Sequence, residues 1–161
     1  MTTYSFRAVN VSDLNLLNKW LREPHVAEWW DASTPYTTDT LDRSYVTMRM
    51  VEADRLPFAL IQDYDVHAQE GHHFGQLPNG ARGMDQFIGE PAILGRGHGS
   101  AFIKKRMTEL FAIGVPVLAV DPHPDNARAI AVYQKIGFHV RGQPRETEWG
   151  PILPMEAPCP T

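Results

Sequence analysis

The 161-residue sequence predicts an α/β fold, and three features of residues 85–138 carry that expectation. The stretch reads strand, glycine loop, helix, strand, loop, helix, strand, with the apolar period switching between two and 3.6. Gly95, Gly97 and Gly99 alternate just where Phe102, Ile103, Met107, Leu110 and Phe111 set up a helical spacing over 100–112. A second helical pattern over 126–136 ends at Gly137, the residue type favoured just past a helix C-terminus, and Phe138 opens another strand.

In chain order, residues 4–10 read as a strand. Ser12 is the expected N-cap of a helix carrying Leu14, Leu17 and Leu21, which must stop before Pro24. A short helix is expected over 25–30, then a loop over 31–38. Leu41, Tyr45 and Met48 share a helical face, which predicts a helix over 39–51. Residues 56–61 and 62–67 read as two strands of a hairpin, yet between Phe58 and Tyr64 there is no glycine, proline or Asn-Gly turn. The expectation there is a shortened pair or a chain break near Ile61 and Gln62. Residues 68–83 form the longest loop, with Gly71, Gly75, Pro78, Gly80 and Gly83; His67, His72 and His73 are expected to be solvated, since their spacing fits no zinc signature. Residues 116–121 form a buried strand ending at Asp121. The helix over 126–136 has two apolar rows and is expected to be covered on much of its circumference. A last edge strand is expected at Ile152 and Leu153. The domain then runs over 1–155, with a flexible proline-rich tail over 156–161.

Composition narrows the class. An apolar content of 43% and a charged content of 21% suit a soluble globular chain. No run of about 18 apolar residues reads as a membrane span, and the first residues carry no apolar leader. A net charge of −4 argues against a general nucleic-acid binder. Cys159 has no partner for an internal disulfide, which points to a reducing cytoplasm and leaves it as a tail residue rather than a nucleophile. A monomer or weak homodimer with a small-molecule substrate is expected, with no metal.

The glycine run is the first feature that carries chemistry. Glycines before a helix let the backbone approach a ligand, and the N–H groups of the first turn then face it, which favours a phosphate or pyrophosphate. The run is neither a P-loop, because no lysine follows Gly99, nor a dinucleotide fingerprint, because Ser100 stands where the third glycine belongs. A tight turn serving helix packing remains the alternative. With Asn126, Ala129, Ile130, Tyr133, Lys135, Gly137 and Phe138, the glycine run resembles the two acetyl-CoA motifs of the GCN5-related N-acetyltransferase (GNAT) superfamily. More narrowly, the segments 20–30, 82–86 and 121–126 resemble the aminoglycoside 6'-N-acetyltransferases. Hydroxamate-siderophore acyltransferases share the Trp29-Trp30 pair and the overall plan.

The resemblance implies a mixed, mostly antiparallel sheet splayed at its middle, with helices on both faces and acetyl-CoA at the splay. It also implies coenzyme contacts at Gln86, Phe87, Ile88, Gly95, Arg96, Gly97, His98, Gly99, Ser100, Asn126, Arg128 and Tyr133. Transfer of acetyl to an amine needs a proton acceptor, a stabilised oxyanion and a proton for the leaving thiolate. Asp85, inside an apolar strand, is the candidate base, or else a carboxylate that only binds a substrate ammonium. Asp121 matches the family's substrate-binding aspartate, or caps the following turn. Tyr133 is the implied acid for the thiolate, or a core tyrosine; Asn126 contacts the pantetheine arm, or is an N-cap. Neighbouring side chains point about 100° apart on a helix, so Trp29 and Trp30 cannot share a face. Either both pack the helix, or Trp30 forms a wall of the acceptor site. The expected activity is acetyl-CoA-dependent acetylation of a primary amine, most specifically an aminoglycoside 6'-amine. Acylation of N-hydroxylated lysine or ornithine, and a coenzyme-binding module without turnover, are the alternatives.

Overall fold

The computed structural model describes all residues, Met1–Thr161. The chain divides into two compact units, Met1–Asp63 with Asp85–Phe102, and Tyr64–Met84 with Ile103–Thr161. Strands β1 (Tyr4–Ala8), β2 (Val46–Ala53), β3 (Leu56–Asp65), β4 (Arg82–Ile88), β5 (Val117–Val120), β9 (Met155–Pro158) and β6 (His139–Val140) form a seven-stranded sheet in that order. Strands β7 (Arg145–Thr147) and β8 (Gly150–Ile152) make a separate hairpin. β1 and β2 are antiparallel, as are β5 and β9, and β9 and β6. β4 and β5 are parallel, with a register of two residue pairs, Arg82 with Leu118 and Gly83 with Ala119. The α/β class is the one read from the sequence, and the mixed, mostly antiparallel sheet is the one the resemblance implies.

In the first unit, Asn10 rather than Ser12 starts the helical segment. Its side chain accepts from Ser12 N, Asp13 reaches back to Asn10 N at 2.9 Å, and the capping box opens a 3-10 turn that runs into α1 (Leu14–Leu21). Arg7 holds Asp13 through two bonds of 2.7 and 2.8 Å and Glu52 at 2.7 Å, so the Asp13 carboxyl lies below its usual range. The apolar face of α1 buries Leu17, Trp20 and Leu21 with Val26, Tyr36, Met50 and Leu60. α2 (Pro24–Ala27) begins with proline at its first position, where no N–H is needed.

The helix expected over 39–51 is not there. α3 covers only Thr38–Leu41, closed by a Thr37–Thr40 capping box, and Val46–Ala53 is the strand β2. Val46, Thr47 and Val51 are β-branched and pack better on a pleated surface. The expected hairpin within 56–67 is likewise corrected. β3 runs unbroken from Leu56 to Asp65, with no short pair or break near Ile61. Its hairpin partner is β2, and the turn is Asp54-Arg55, with φ of 51° and 67°. A primed two-residue turn needs positive φ at both positions, and here it is made without glycine.

In the second unit, α4 (His98–Ala112, begun in the first unit) leads to β5, and α5 (Ala127–Ile136) to β6. α5 has no buried residue: Ala129, Ile130, Val132, Tyr133 and Ile136 form one half-covered face, while Ala127 and Ala131 are exposed. The second apolar row is therefore not covered, because alanine adds too little apolar area to demand burial. Gly137, at φ 113°, ends the helix, with Phe138 N bonded to Tyr133 O at 2.9 Å. The tail expected over 156–161 is in large part β9, inserted between β5 and β6, and Cys159 N donates to Pro116 O at 2.8 Å. Pro158 stands opposite Val117 at the strand end, where a missing N–H costs little. No helix is long and apolar enough to cross a membrane.

Just after β4, a Cβ on Gly89 would fall inside the Trp20 indole. Gly89→Ala must displace a fully buried ring. The expected loss is about 1–3 kcal/mol, the usual range for overpacking a core. Urea unfolding midpoints measure it, and an unchanged midpoint would show that the indole is free to move.

Candidate active site

The end of β4 and the elements packed on it carry the first group of candidate residues. Asp85 is half-buried, and Gln62 of β3 donates to its Oδ2 at 3.3 Å. The Tyr36 hydroxyl lies within reach of its charge. Burial, aided by the Asp85 charge, keeps that phenol protonated well above the usual range, opposed by a hydrogen bond from Trp30 and the charge of Arg43. Trp30 also meets Phe87 edge-on, with ring centroids 4.8 Å apart, and is half-buried where Trp29 is exposed. The helix expected over 25–30 stops at Ala27, so the tryptophans stand in the turn beyond it, where the pair still splits, with Trp30 beside the strand that carries Asp85. The segment that brings Tyr36 there is held by Asn18, whose amide donates to Tyr36 O at 3.0 Å and accepts from Tyr36 N at 2.8 Å.

The strand end is clamped from two directions. His25 Nε2 donates to Ile88 O at 2.8 Å, and Trp20 Nε1 donates to Glu90 Oε1 at 2.9 Å. The chain then enters the glycine run, where Gly95 and Gly97 stand at φ 75° and 81°. α4 starts at His98, two residues earlier than the sequence spacing predicts, so His98, Gly99 and Ser100 all lie in its first turn. Ser100 Oγ donates to Gly97 O at 3.1 Å. The His98 ring turns inward, sharing a 2.6 Å hydrogen bond with the Tyr4 hydroxyl and packing on Phe58. Burial pushes the Tyr4 phenol above its usual range. Any ligand contact from position 98 falls to its backbone.

In the second unit, Asp121 follows β5, and its Oδ2 lies 2.8 Å from His73 Nε2. His72 and His73 are not the solvated loop residues expected from a glycine-rich segment. The His73 side chain is only 4% exposed, and the two rings stack with centroids 4.1 Å apart. Phe74 N donates to His72 Nδ1 at 3.0 Å, and Trp149, 55% exposed, lies against both histidines. His67 is exposed, as expected, yet its Nε2–H is shared between Gly75 O at 3.2 Å and Leu77 O at 2.9 Å. It closes the loop on itself. Asn126 is the N-cap of α5, accepting from Ala129 N at 3.2 Å. Tyr133 is half-buried against Phe138, with ring centroids 5.6 Å apart. Arg128 is exposed on the first turn of α5.

Gln62, Tyr36, Asn18, His73 and Trp149 were not singled out as site residues from sequence. One signal was available for the loop. His72-His73-Phe74, set between Gly71 and Gly75, is an aromatic island in a polar segment, and such an island needs something to pack on.

A parallel β4–β5 pair, a glycine run opening α4 and an Asn126-capped α5 are the local features that the candidate residues share. Residues 10–145 match the acetyltransferase (GNAT) domain model, and the chain belongs to that family of N-acetyltransferases. Among curated relatives, aminoglycoside N(6')-acetyltransferase type 1 of Klebsiella pneumoniae is 29% identical over 150 residues, covering 86% of this chain and 75% of the relative. Among solved structures, aminoglycoside acetyltransferase AAC(6')-Ib in complex with coenzyme A superposes with a TM-score of 0.87 at 28% identity, over 97% of this chain and 95% of that one. The same enzyme with coenzyme A and kanamycin gives a TM-score of 0.86 at 29% identity, over 97% and 95% of the two chains.

Burial and the neighbouring His73 push His72 down to about 4, so it is neutral in the folded protein near neutral pH. An unfolded chain protonates it near the ordinary value of about 6.5. Between those values the unfolded state binds more protons, so this contribution is complete above about 6.5 and is lost as pH falls toward about 4. His72→Asn should flatten that part of the stability–pH curve, measured by urea unfolding from pH 7 to pH 4. An unchanged slope would contradict the assignment.

Proposed function

We propose that this chain transfers the acetyl group of acetyl-CoA to a primary amine of a cationic aminosugar, the 6'-amine of an aminoglycoside. The reaction is direct attack in a ternary complex. The observation that carries the reading is the environment of Asp85. It is a half-buried carboxylate that accepts from Gln62 and whose charge is felt by the buried Tyr36 phenol, in a chain whose relatives are aminoglycoside N(6')-acetyltransferases. A carboxylate so placed attracts an ammonium while ionised and can then take its proton. Solved relatives hold coenzyme A and kanamycin, which supports both the donor and the acceptor.

In this reading the amine loses its proton to Asp85 and attacks the thioester carbonyl carbon. The C–S bond breaks as the N–C bond completes; the attacking nitrogen sheds its second proton to water, and the thiolate takes a proton from the Tyr133 hydroxyl, which that released proton restores through water. Gly95, Arg96, Gly97, His98, Gly99 and Ser100 take the pyrophosphate through backbone N–H groups and the exposed Arg96 cation. Gln86, Phe87 and Ile88 accompany the pantetheine arm, and Asn126 and Arg128 add polar contacts. Trp30 offers the acceptor an aromatic wall, and Asp121 a second negative charge. The chain acts as one acetyltransferase domain, a monomer or weak homodimer in the cytoplasm, where Cys159 stays reduced.

Two isosteric amides separate the roles. Asp85→Asn removes the proton acceptor, so kcat for kanamycin should fall by about 10²–10⁴-fold with KM little changed. Asp121→Asn removes ground-state attraction, so KM should rise about tenfold with kcat retained, and the rise should shrink as salt screens the charge. Steady-state kinetics at two ionic strengths decide the matter. Two variants that fail in the same parameter would overturn the division of labour.

A further inference from the structure

The structure points to a second residue behind Asp121. We propose that His73 is a positioning residue for the amine acceptor, aiming the Asp121 carboxylate by holding one of its two oxygens. The inference rests on the acceptor role of Asp121 proposed above.

The geometry is specific to one oxygen and one nitrogen. His73 Nε2 lies 2.8 Å from Asp121 Oδ2. An ionised carboxylate only accepts, so the proton of this bond resides on Nε2. The two side chains are unequally buried, 4% exposed for His73 and 20% for Asp121. The buried partner is therefore the fixed one, and the carboxylate is turned by it. Oδ2 is taken, which leaves Oδ1 to the exposed side and to a substrate ammonium.

The ring cannot easily turn away. His72 stacks on it with centroids 4.1 Å apart and a 25° interplanar angle, Phe74 packs at 4.5 Å, and Trp149 meets it edge-on at 5.7 Å. His72 is itself pinned through Nδ1 by Phe74 N at 3.0 Å. Trp149 is fixed at the tip of the β7–β8 hairpin, where its N–H donates to Thr147 Oγ1 at 3.1 Å and that hydroxyl donates to Gly150 O at 2.8 Å. The titratable groups facing His73 are thus His72 and Asp121, and the remaining neighbours are neutral aromatics. A carboxylate held by a packed donor has already lost its rotamer freedom, so binding an ammonium need not cost it again.

A ring that merely fills space predicts a different mutational pattern from a ring that donates a hydrogen bond. His73→Phe keeps the aromatic packing and deletes the donor; His73→Gln loses the ring and places an amide donor near the Nε2 position. The experiment is steady-state kinetics with kanamycin at saturating acetyl-CoA. The proteins are wild type, His73→Phe, His73→Gln, Asp121→Ala, and the double variant His73→Phe with Asp121→Ala. His73→Phe is expected to raise the kanamycin KM about tenfold, the scale of one charge-assisted hydrogen bond, with kcat within about twofold. His73→Gln should return KM to within about threefold of wild type, and the double variant should match Asp121→Ala alone because the coupling is gone. A normal KM in His73→Phe, equal damage from Gln and Phe, or additive effects in the double variant would each overturn the proposal.

A second readout needs no acceptor and no variant of His73. Nitrogen-15 NMR of the wild type should place the His73 proton on Nε2, with a downfield proton shift that collapses in Asp121→Ala. A proton on Nδ1, or a shift indifferent to Asp121, would overturn the pairing. If wild type does not acetylate kanamycin, the functional reading fails, while this NMR result still decides the His73–Asp121 pair by itself.

Discussion

The indole of Trp20 occupies the space that a side chain at position 89 would fill, and the path of the chain from strand to glycine run depends on it. The ring is almost fully buried among Leu17, Leu21, Tyr36, Met50 and Leu60, so it is a fixed body rather than a mobile lid. Its Nε1–H is satisfied by Glu90, the residue after Gly89. Gly89 and Glu90 N–H groups both turn to Phe58 O, at 2.8 and 3.2 Å, and His25 holds Ile88 O. Phe87 itself meets the Trp20 ring edge-on, so four consecutive residues from Phe87 are tied to their surroundings. Asp85 is the side chain two positions upstream of this clamp, and its direction is inherited from it.

Each of the two carboxylates singled out for the chemistry is set by a neighbour, and the neighbours differ in kind. Asp85 accepts from the Gln62 amide, and its charge is felt by the buried Tyr36 phenol. Asp121 instead faces a buried imidazole that occupies one oxygen. The first arrangement suits proton transfer and the second suits fixed recognition. Both arrangements rest on aromatic packing, Trp30 on Phe87 in one unit and His72 on His73 in the other.

What was legible in the sequence was written in local chemistry. The glycine run before α4 and the Asn126 cap and Gly137 stop of α5 are decided by φ and by the N–H and C=O groups of a single turn. The misread elements depend on partners distant in sequence. Residues 46–53 have apolar residues spaced for either a helix or a strand, and only pairing with β1 and β3 settles the choice. The Asp54-Arg55 turn carries positive φ without glycine, so the hairpin was sought several residues too late. Prolines in the last residues read as a tail, although Met155–Pro158 adds a strand beside β5. Within the site, the bonds from Gln62 to Asp85 and from His73 to Asp121 join residues 23 and 48 positions apart, and no periodicity reports such a pairing.

The central claim is chemical: a primary amine at one position of an aminosugar receives the acetyl group. It is tested most directly by following thiol release from acetyl-CoA with kanamycin, and with an otherwise similar aminoglycoside that carries a hydroxyl at its 6' carbon, then locating the acetyl group by NMR. The account predicts saturable release with the amine, acetylation at the 6' nitrogen, and no acetyl transfer at 6' when a hydroxyl stands there. Absence of release with kanamycin, or an acetyl group at another position, would contradict it.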